Sequence, residues 1–295
     1  MTVWVTGADG QVGRCMRALV AENDVDGFRF LGRAALDVTS SDRITAVAAN
    51  CPPTAIINLA AYTNVNRAES EPKRAFLVNG QAPGLLAALA NTFDAPLIHI
   101  STDYVFDGTK SDPYLPEDPM NPLCVYGASK RDGEDIVRTE IDQHVIIRTS
   151  WVFSEYRPNF VATMAQLATK NDNVRVVDDQ VGGPTYAGDL ASAILGCLQH
   201  IRQRQFPWGT YHFAGQPFIS WANFAARIFE AISEHTGGGA VPEVERILTD
   251  AYPQPAARPL NSRLDSSSLN RILDLDSSNW EYGLKHTLNE LLQLT

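Results

Sequence analysis

The sequence predicts a doubly wound α/β fold, a parallel sheet covered by helices on both faces, followed by a smaller C-terminal α/β lobe. Three observations carry this. Short apolar runs rich in β-formers alternate with stretches of helical spacing through the first 150 residues, the pattern of successive strand–helix units. The runs are apolar almost throughout, as strands buried on both faces must be. A glycine-rich segment, Gly7–Gly13, stands between the first run and the first helical stretch.

In chain order, strands are predicted at Val3-Trp4-Val5, Phe28–Leu31, Ala55–Asn58, Leu97–Ile100 and Val145–Ile147. Helices are predicted between them at Gln11–Glu22, Ser41–Asn50, Glu71–Asn91 and Leu123–Glu140. Beyond Ser150 the alternation weakens. Helical spacing covers Asn159–Thr169, Gly188–Gln199 and a capped amphipathic stretch at Ser220–Ser233, with strands at Val174–Val177 and Tyr211–Phe213. Gly237-Gly238-Gly239 reads as a turn, and the proline-rich stretch Tyr252–Pro259 cannot form a helix interior. Asp112–Pro122 reads as a loop over a substrate crevice.

The 295 residues fit two domains or one large one. At 44% hydrophobic and 20% charged residues, the composition is that of a globular protein and excludes a disordered tail, a collagen or a coiled coil. No apolar run approaches the roughly 20 residues of a membrane helix. The first thirteen residues carry no Lys or Arg, so no secretory leader is expected and the cytoplasm is. With 24 basic and 34 acidic residues the net charge is -10, which disfavours a nucleic-acid partner. Cys15, Cys51, Cys124 and Cys197 have neither CxxC nor zinc spacing and read as free thiols.

Five segments could carry chemistry. Gly7, Gly10 and Gly13, with Gln11 and Val12 between them, follow a strand and open a helix. Glycine there permits a tight turn and close approach of a pyrophosphate to the helix N-terminus. Residues 1–150 are therefore expected to bind a dinucleotide, and 151–295 to form mainly a substrate lobe, with some segments returning to the first domain. Arg33 follows the second strand, where it either accepts a 2′-phosphate or is a surface cation; Asp37 and Val38 either line an adenine pocket or do not. Asn58–Thr63, including Ala61, Tyr62 and Thr63, ends the third strand, and Ser101–Phe106, including Thr102 and Asp103, ends the fourth. Strand C-termini form the ligand crevice in such sheets. Finally, Tyr126 and Lys130 stand four apart and share a helix face. A nearby ammonium would pull the tyrosine pKa down from about 10 toward neutrality and make it a usable proton donor. His99 and His212 lie within strands and read as structural. Glu69 and Glu71 read as surface charges.

The glycine motif, the strand-four Thr102 and the Tyr126–Lys130 pair resemble the extended short-chain dehydrogenase/reductases, a Rossmann-type family. Within it, the chain resembles the dTDP-4-dehydrorhamnose reductases through Gly7–Gly13, Asn58–Thr63, Glu69-Ser70-Glu71-Pro72 and Ser101–Phe106. Arg148-Thr149-Ser150-Trp151-Val152, Asp179–Thr185 and Arg258–Leu264 extend the likeness along the chain. The resemblance implies an NADPH- or NADH-dependent reduction of the C4 ketone of a dTDP-bound 4-keto-6-deoxy sugar to dTDP-L-rhamnose. It implies that Tyr126 gives the proton, that Lys130 holds the nicotinamide ribose, and that Thr102 hydrogen-bonds the reacting oxygen. Asp103 and Trp151 would contact the sugar.

Two other readings stand beside it. Another nucleotide-sugar enzyme of the same family is one; a 4,6-dehydratase would show Asp-Glu after the strand-four threonine, where this chain has Thr102-Asp103-Tyr104. A non-catalytic subunit similar to the methionine adenosyltransferase β-subunit is the other, and the presence of Thr102, Tyr126, Lys130 and Trp151 argues for an enzyme instead. Some members of the reductase family dimerise around magnesium held by glutamates. The matching positions here are Cys15, Asp189 and Glu290, a poor set for a hard cation. No metal is expected there, and the chain is expected to be a monomer or a metal-independent dimer.

Overall fold

The computed structural model describes residues 2–156, 158–170 and 172–293. Its main sheet contains β1 (Val3–Thr6), β2 (Phe28–Leu31), β3 (Ala55–Asn58), β4 (Leu97–Thr102), β5 (His144–Thr149) and a late strand, Gly209–His212. The spatial order is Gly209–His212, β5, β4, β3, β1, β2, and every neighbouring pair is parallel. The chain leaves β1 toward β2 on one side and returns to β3 on the other. The loops after β1 and β3 therefore diverge, and a crevice opens at their C-terminal ends.

Helices run along the chain as α1 (Gln11–Glu22), α2 (Ser41–Asn50), α3 (Val65–Ser70), α4 (Pro72–Phe76), α5 (Ala82–Thr92) and α6 (Val125–Glu140), followed by α7 (Phe160–Ala168), α8 (Ala187–Arg202), α9 (Trp221–His235), α10 (Ser267–Leu273) and α11 (Trp280–Gln293). Successive strand residues face opposite ways. Val3, Val5, Ile57, Ile98 and Ile147 pack with Met16 of α1 and Ile194 of α8. Trp4, Ile56, Leu97 and Ile146 pack on the other face with Ile44 of α2, Leu86 of α5 and Val137 of α6. Each such side chain stabilises the fold by roughly 1.5–3 kcal/mol relative to exposure. Two segments from beyond residue 150 complete this layer, since α8 covers one face and Gly209–His212 extends the sheet at β5.

A second core joins α7, α9 and α11 through Phe153, Val161, Phe224, Phe229, Trp280 and Leu284. A parallel strand pair, Asn173–Val177 with Glu243–Ile247, lies beside it. The cap expected at Ser220 is present: its Oγ accepts from Asn223 N at 3.1 Å.

The helix predicted over Glu71–Asn91 differs. It is α4, one π turn over Leu77–Gln81, and α5. Pro83 explains the break, because it has no N–H for the Asn79 carbonyl and its ring would crowd that carbonyl in a regular helix. The freed Asn79 carbonyl instead lies against Gly133 of α6, where any Cβ would collide with it.

Helix α6 is fixed by an ion pair. Arg148 on β5 donates from Nε to Glu134 Oε1 at 3.0 Å and from Nη2 to Oε2 at 2.8 Å. The Arg148 side chain is 1% exposed and that of Glu134 fully buried. Arg138 adds a second contact to Glu134 at 2.6 Å. These cations hold the Glu134 carboxyl below its ordinary range against the upward push of burial. The depressed pKa makes the stabilisation complete above the unfolded-state value of about 4.3 and lost as pH falls through the lower folded-state value. Glu134→Leu should cost about 3–5 kcal/mol by stranding Arg148. Urea unfolding measures this, and adding Arg148→Met to the same chain should recover much of the loss.

Candidate active site

The loop after β1 requires glycine. Gly7 has φ +62°, and a Cβ there would lie 2.5 Å from Ala60 N at the end of β3. At Gly13 a Cβ would lie 2.6 Å from Ala8 Cα. Helix α1 starts after Gly10 with no side-chain cap and no acid in its first turn. Its first N–H groups are thus available to an anion. A cavity of about 900 Å³ opens at this point and runs to Trp151 and Trp221. These features fit a dinucleotide pyrophosphate.

Every cofactor and substrate residue expected from the sequence lines this cavity: the glycine loop at one end, Arg33, Asp37 and Val38 beside it, then Ala61, Tyr62 and Thr63. Thr102, Asp103, Tyr126, Lys130 and Trp151 follow. The details refine several expectations. Asp37 Oδ1 accepts from Thr39 N at 3.0 Å and Thr39 Oγ1 at 2.7 Å, which holds its carboxyl below the usual range. The side chain of Gln11 joins the lobes, as its Oε1 accepts from Ser154 Oγ and Asn159 Nδ2, each at 2.9 Å. No acid follows β2 directly in sequence, yet the Asp9 carboxylate packs on Gly32, next to Arg33.

The chemistry-bearing groups sit deeper. Helix α6 starts where Glu69 Oε1 accepts from Val125 N at 2.8 Å. Glu71 accepts from Tyr62 OH at 2.9 Å. Neither glutamate is the simple surface charge expected. Tyr126 and Lys130 follow on one face of α6. Lys130 Nζ donates to Ile100 O at 2.7 Å and lies 3.4 Å from His99 Nε2. Burial pulls the Lys130 ammonium down to about 8, with Glu134 opposing. The expected lowering of Tyr126 is overturned. Burial pushes its phenol well above the ordinary value; Thr102 lowers it, Asp103 and Cys124 raise it further, and Lys130 has no resolved effect. Lys130 is directed toward the Ile100 carbonyl and His99, so its charge does not govern the phenol. Tyr126 is a protonated donor at neutral pH.

Thr102 Oγ1 donates to Asp103 Oδ1 at 3.0 Å. Burial lifts the Asp103 carboxyl to about 6, with Ser262 and Thr102 pulling it down. Trp151 has φ +49° and stacks on Trp221 with ring centroids 3.6 Å apart. The Phe160 ring packs against Trp221 with centroids 4.5 Å apart.

Sequence reasoning missed Trp221, Phe160 and Asn79. Asn79 Oδ1 accepts from Tyr62 N at 2.8 Å, and its Nδ2 donates to Ser129 Oγ at 3.0 Å. It thereby ties the loop after β3 to α6. A buried asparagine within an otherwise apolar helical stretch was the available signal. The Asp112–Pro122 loop adds no residue to the cavity wall among the described residues. It is pinned instead by Tyr114 N to Arg263 O at 2.8 Å and by Arg148 Nη1 to Pro116 O at 2.9 Å. His212 is structural as expected, with Nε2 facing Arg148 and Nδ1 3.1 Å from Tyr114 O.

Cys15 and Asp189 do approach one another, together with Glu155. Burial and Glu155 push the Cys15 thiol up. Asp189 accepts from Ser278 Oγ at 2.7 Å, and Glu290 is exposed. Among the described residues no group of three or more His, Cys, Asp or Glu could hold a metal ion, and no helix is long and apolar enough to cross a membrane.

Comparison with known proteins places this geometry. The dTDP-4-dehydrorhamnose reductase of Aggregatibacter actinomycetemcomitans is 41% identical over 283 residues, covering 96% of each chain. A crystal structure of a dTDP-4-dehydrorhamnose reductase from Clostridium acetobutylicum superposes with a TM-score of 0.89 at 33% identity, covering 99% of this chain and 100% of the other. That of Bacillus anthracis, in complex with NADP, gives 0.88 at 32% identity, covering 98% and 100%. The family model described as the RmlD substrate binding domain matches residues 1–293, and the chain belongs to that family.

Proposed function

We propose that this enzyme reduces the C4 ketone of dTDP-4-dehydro-6-deoxy-L-mannose with NADPH or NADH, giving dTDP-L-rhamnose. The observation that carries the reading is the convergence of Thr102, Tyr126 and Lys130 on the cavity that begins at the uncapped N-terminus of α1. The relatives named above, dTDP-4-dehydrorhamnose reductases, support the same reaction.

The dinucleotide supplies the hydride when bound. The chain's own task is the oxygen. Reduction leaves negative charge on the C4 oxygen, and a donor aimed at that oxygen lowers the barrier. Tyr126 fits this role because its phenol remains protonated at neutral pH and lines the cavity beside Thr102. Lys130, which lines the same cavity, would hold the nicotinamide ribose. Trp151, stacked on Trp221, offers the sugar a flat wall at the far end, with Asp103 as a polar contact. Four free cysteines agree with a cytoplasmic setting.

Tyr126→Phe should lower turnover by roughly 10²-fold or more while leaving cofactor affinity intact. Steady-state kinetics with the dTDP-sugar and a cofactor titration check both halves; near-normal turnover would exclude Tyr126 as the acid.

Arg33 lines the cavity where a 2′-phosphate would lie. Both cofactors should serve, NADPH at least as well as NADH. Arg33→Ala should weaken NADPH more than NADH, and equal losses would show that Arg33 does not read the phosphate.

Assembly should be independent of magnesium. Of the three matching positions, Cys15 presents a protonated thiol and Asp189 is already bonded to Ser278, a poor set for a hard cation that prefers oxygen ligands. Sedimentation should give the same mass with magnesium and with excess chelator; a dimer that dissociates only on chelation contradicts this.

A further inference from the structure

His99 lies outside the proposed chemistry, fully buried between β3 and α6, and its hydrogen-bond partners determine which of its nitrogens carries the proton. The chain begins at a donor fixed by covalent structure. Ala60 N–H lies 3.2 Å from Asn58 Oδ1, so that atom is the amide oxygen, and Thr6 Oγ1 donates to it as well at 2.7 Å. The Asn58 Nδ2 group must then face His99 Nδ1, which it does at 3.0 Å. An NH₂ group donates, so Nδ1 presents its lone pair. Burial above all holds the imidazole well below its ordinary pKa, and the ring is neutral. Its single hydrogen is therefore on Nε2.

That hydrogen points at Lys130 Nζ, 3.4 Å away. An unprotonated amine has a lone pair to receive it. An ammonium has none, and would set hydrogen against hydrogen. The same nitrogen donates to Ile100 O at 2.7 Å, which either form can do.

We infer that His99 is a positioning residue: locked by Asn58 as the Nε2–H tautomer, it disfavours the Lys130 ammonium, so that at alkaline pH Lys130 is a free amine until an anionic dinucleotide fills the cavity and Lys130 takes up a proton. This rests on the reading of Lys130 as a cofactor contact. The charged surroundings agree. Glu134 faces Lys130 from its own helix, but Arg148 from β5 and Arg138 from α6 both bind that carboxylate and offset it. Asp103, next to β4, has no resolved effect on Lys130, and Tyr126 is protonated. A bound pyrophosphate would supply further negative charge to the cavity that Lys130 lines and so favour the ammonium.

The test has two arms. Nitrogen-15 NMR of the histidine-labelled enzyme, assigned with His99→Gln, should show His99 as the Nε2–H tautomer; an Nδ1–H tautomer or an imidazolium overturns the inference. Calorimetry of NADPH binding at about pH 9, in buffers of different ionisation enthalpy, should show uptake of about one proton per site. Asn58→Asp keeps an oxygen for Ala60 N–H and Thr6 but turns a second oxygen to Nδ1. The imidazole hydrogen then moves to Nδ1, and Nε2 accepts from a Lys130 ammonium. Proton uptake should fall toward zero, and the alkaline limb of the pH–rate profile should rise by about one unit or more. Unchanged uptake and profile in a folded Asn58→Asp enzyme overturn the inference. If that variant does not fold, the wild-type tautomer and uptake decide. Failure of NADPH to bind at all would instead count against the cofactor reading, and the tautomer would still be measured.

Discussion

Arg148 and Glu134 meet in the interior, out of reach of water, and the placement of the proton-handling groups follows from that contact. Tyr126, Lys130 and Glu134 stand four residues apart on α6 and therefore share one face. The carboxylate is anchored to β5 by a two-pronged guanidinium, a geometry that fixes direction as well as distance. One turn away, Lys130 is held to the Ile100 carbonyl of β4. One turn further, Tyr126 reaches the cavity beside Thr102. The same guanidinium reaches the Pro116 carbonyl, so a single buried cation ties the helix, the sheet and an outer loop together.

Much of the scaffold was legible in the sequence because it follows from periodicity and from glycine chemistry. The strands Phe28–Leu31 and Ala55–Asn58 are short apolar runs bounded by turns, and each has the predicted limits. The cavity residues were legible for a related reason: loops at strand ends have nowhere to go but the crevice. Contacts between distant segments were not. Asp9 reaches Gly32 across the sheet's end, and Gln11 bonds Ser154 and Asn159 more than a hundred residues away. The pKa of Tyr126 was misjudged for the same reason. Spacing along α6 places an ammonium on its face, but only the fold reveals that Lys130 turns to Ile100 and His99 and that burial dominates the phenol.

The wall beyond the proton donors has a different character. Trp151 follows β5 with a positive φ that costs a residue with a side chain of order 1 kcal/mol or more. Its ring lies against Trp221 from the other lobe and packs so closely on Gly182 that any Cβ there would intrude. Stacking offsets the backbone strain and fixes the indole plane. The sequence shows the tryptophans, but their pairing depends on how α9 lies against the end of β5.

The late strand Gly209–His212 has a bearing on how the chain is made. β5 is finished at Thr149, yet the strand that pairs with its outer edge comes some sixty residues later, and α8, which roofs α1, is also still to come. During synthesis the first five strands therefore present an open, apolar sheet edge and a bare face. Such surfaces invite pairing with other chains. The first half of the chain cannot close its own core from its own sequence, so the ribosome must deliver about sixty further residues before that half is protected. The two lobes are in this sense a single folding unit, and a truncation near residue 150 would expose an adhesive sheet.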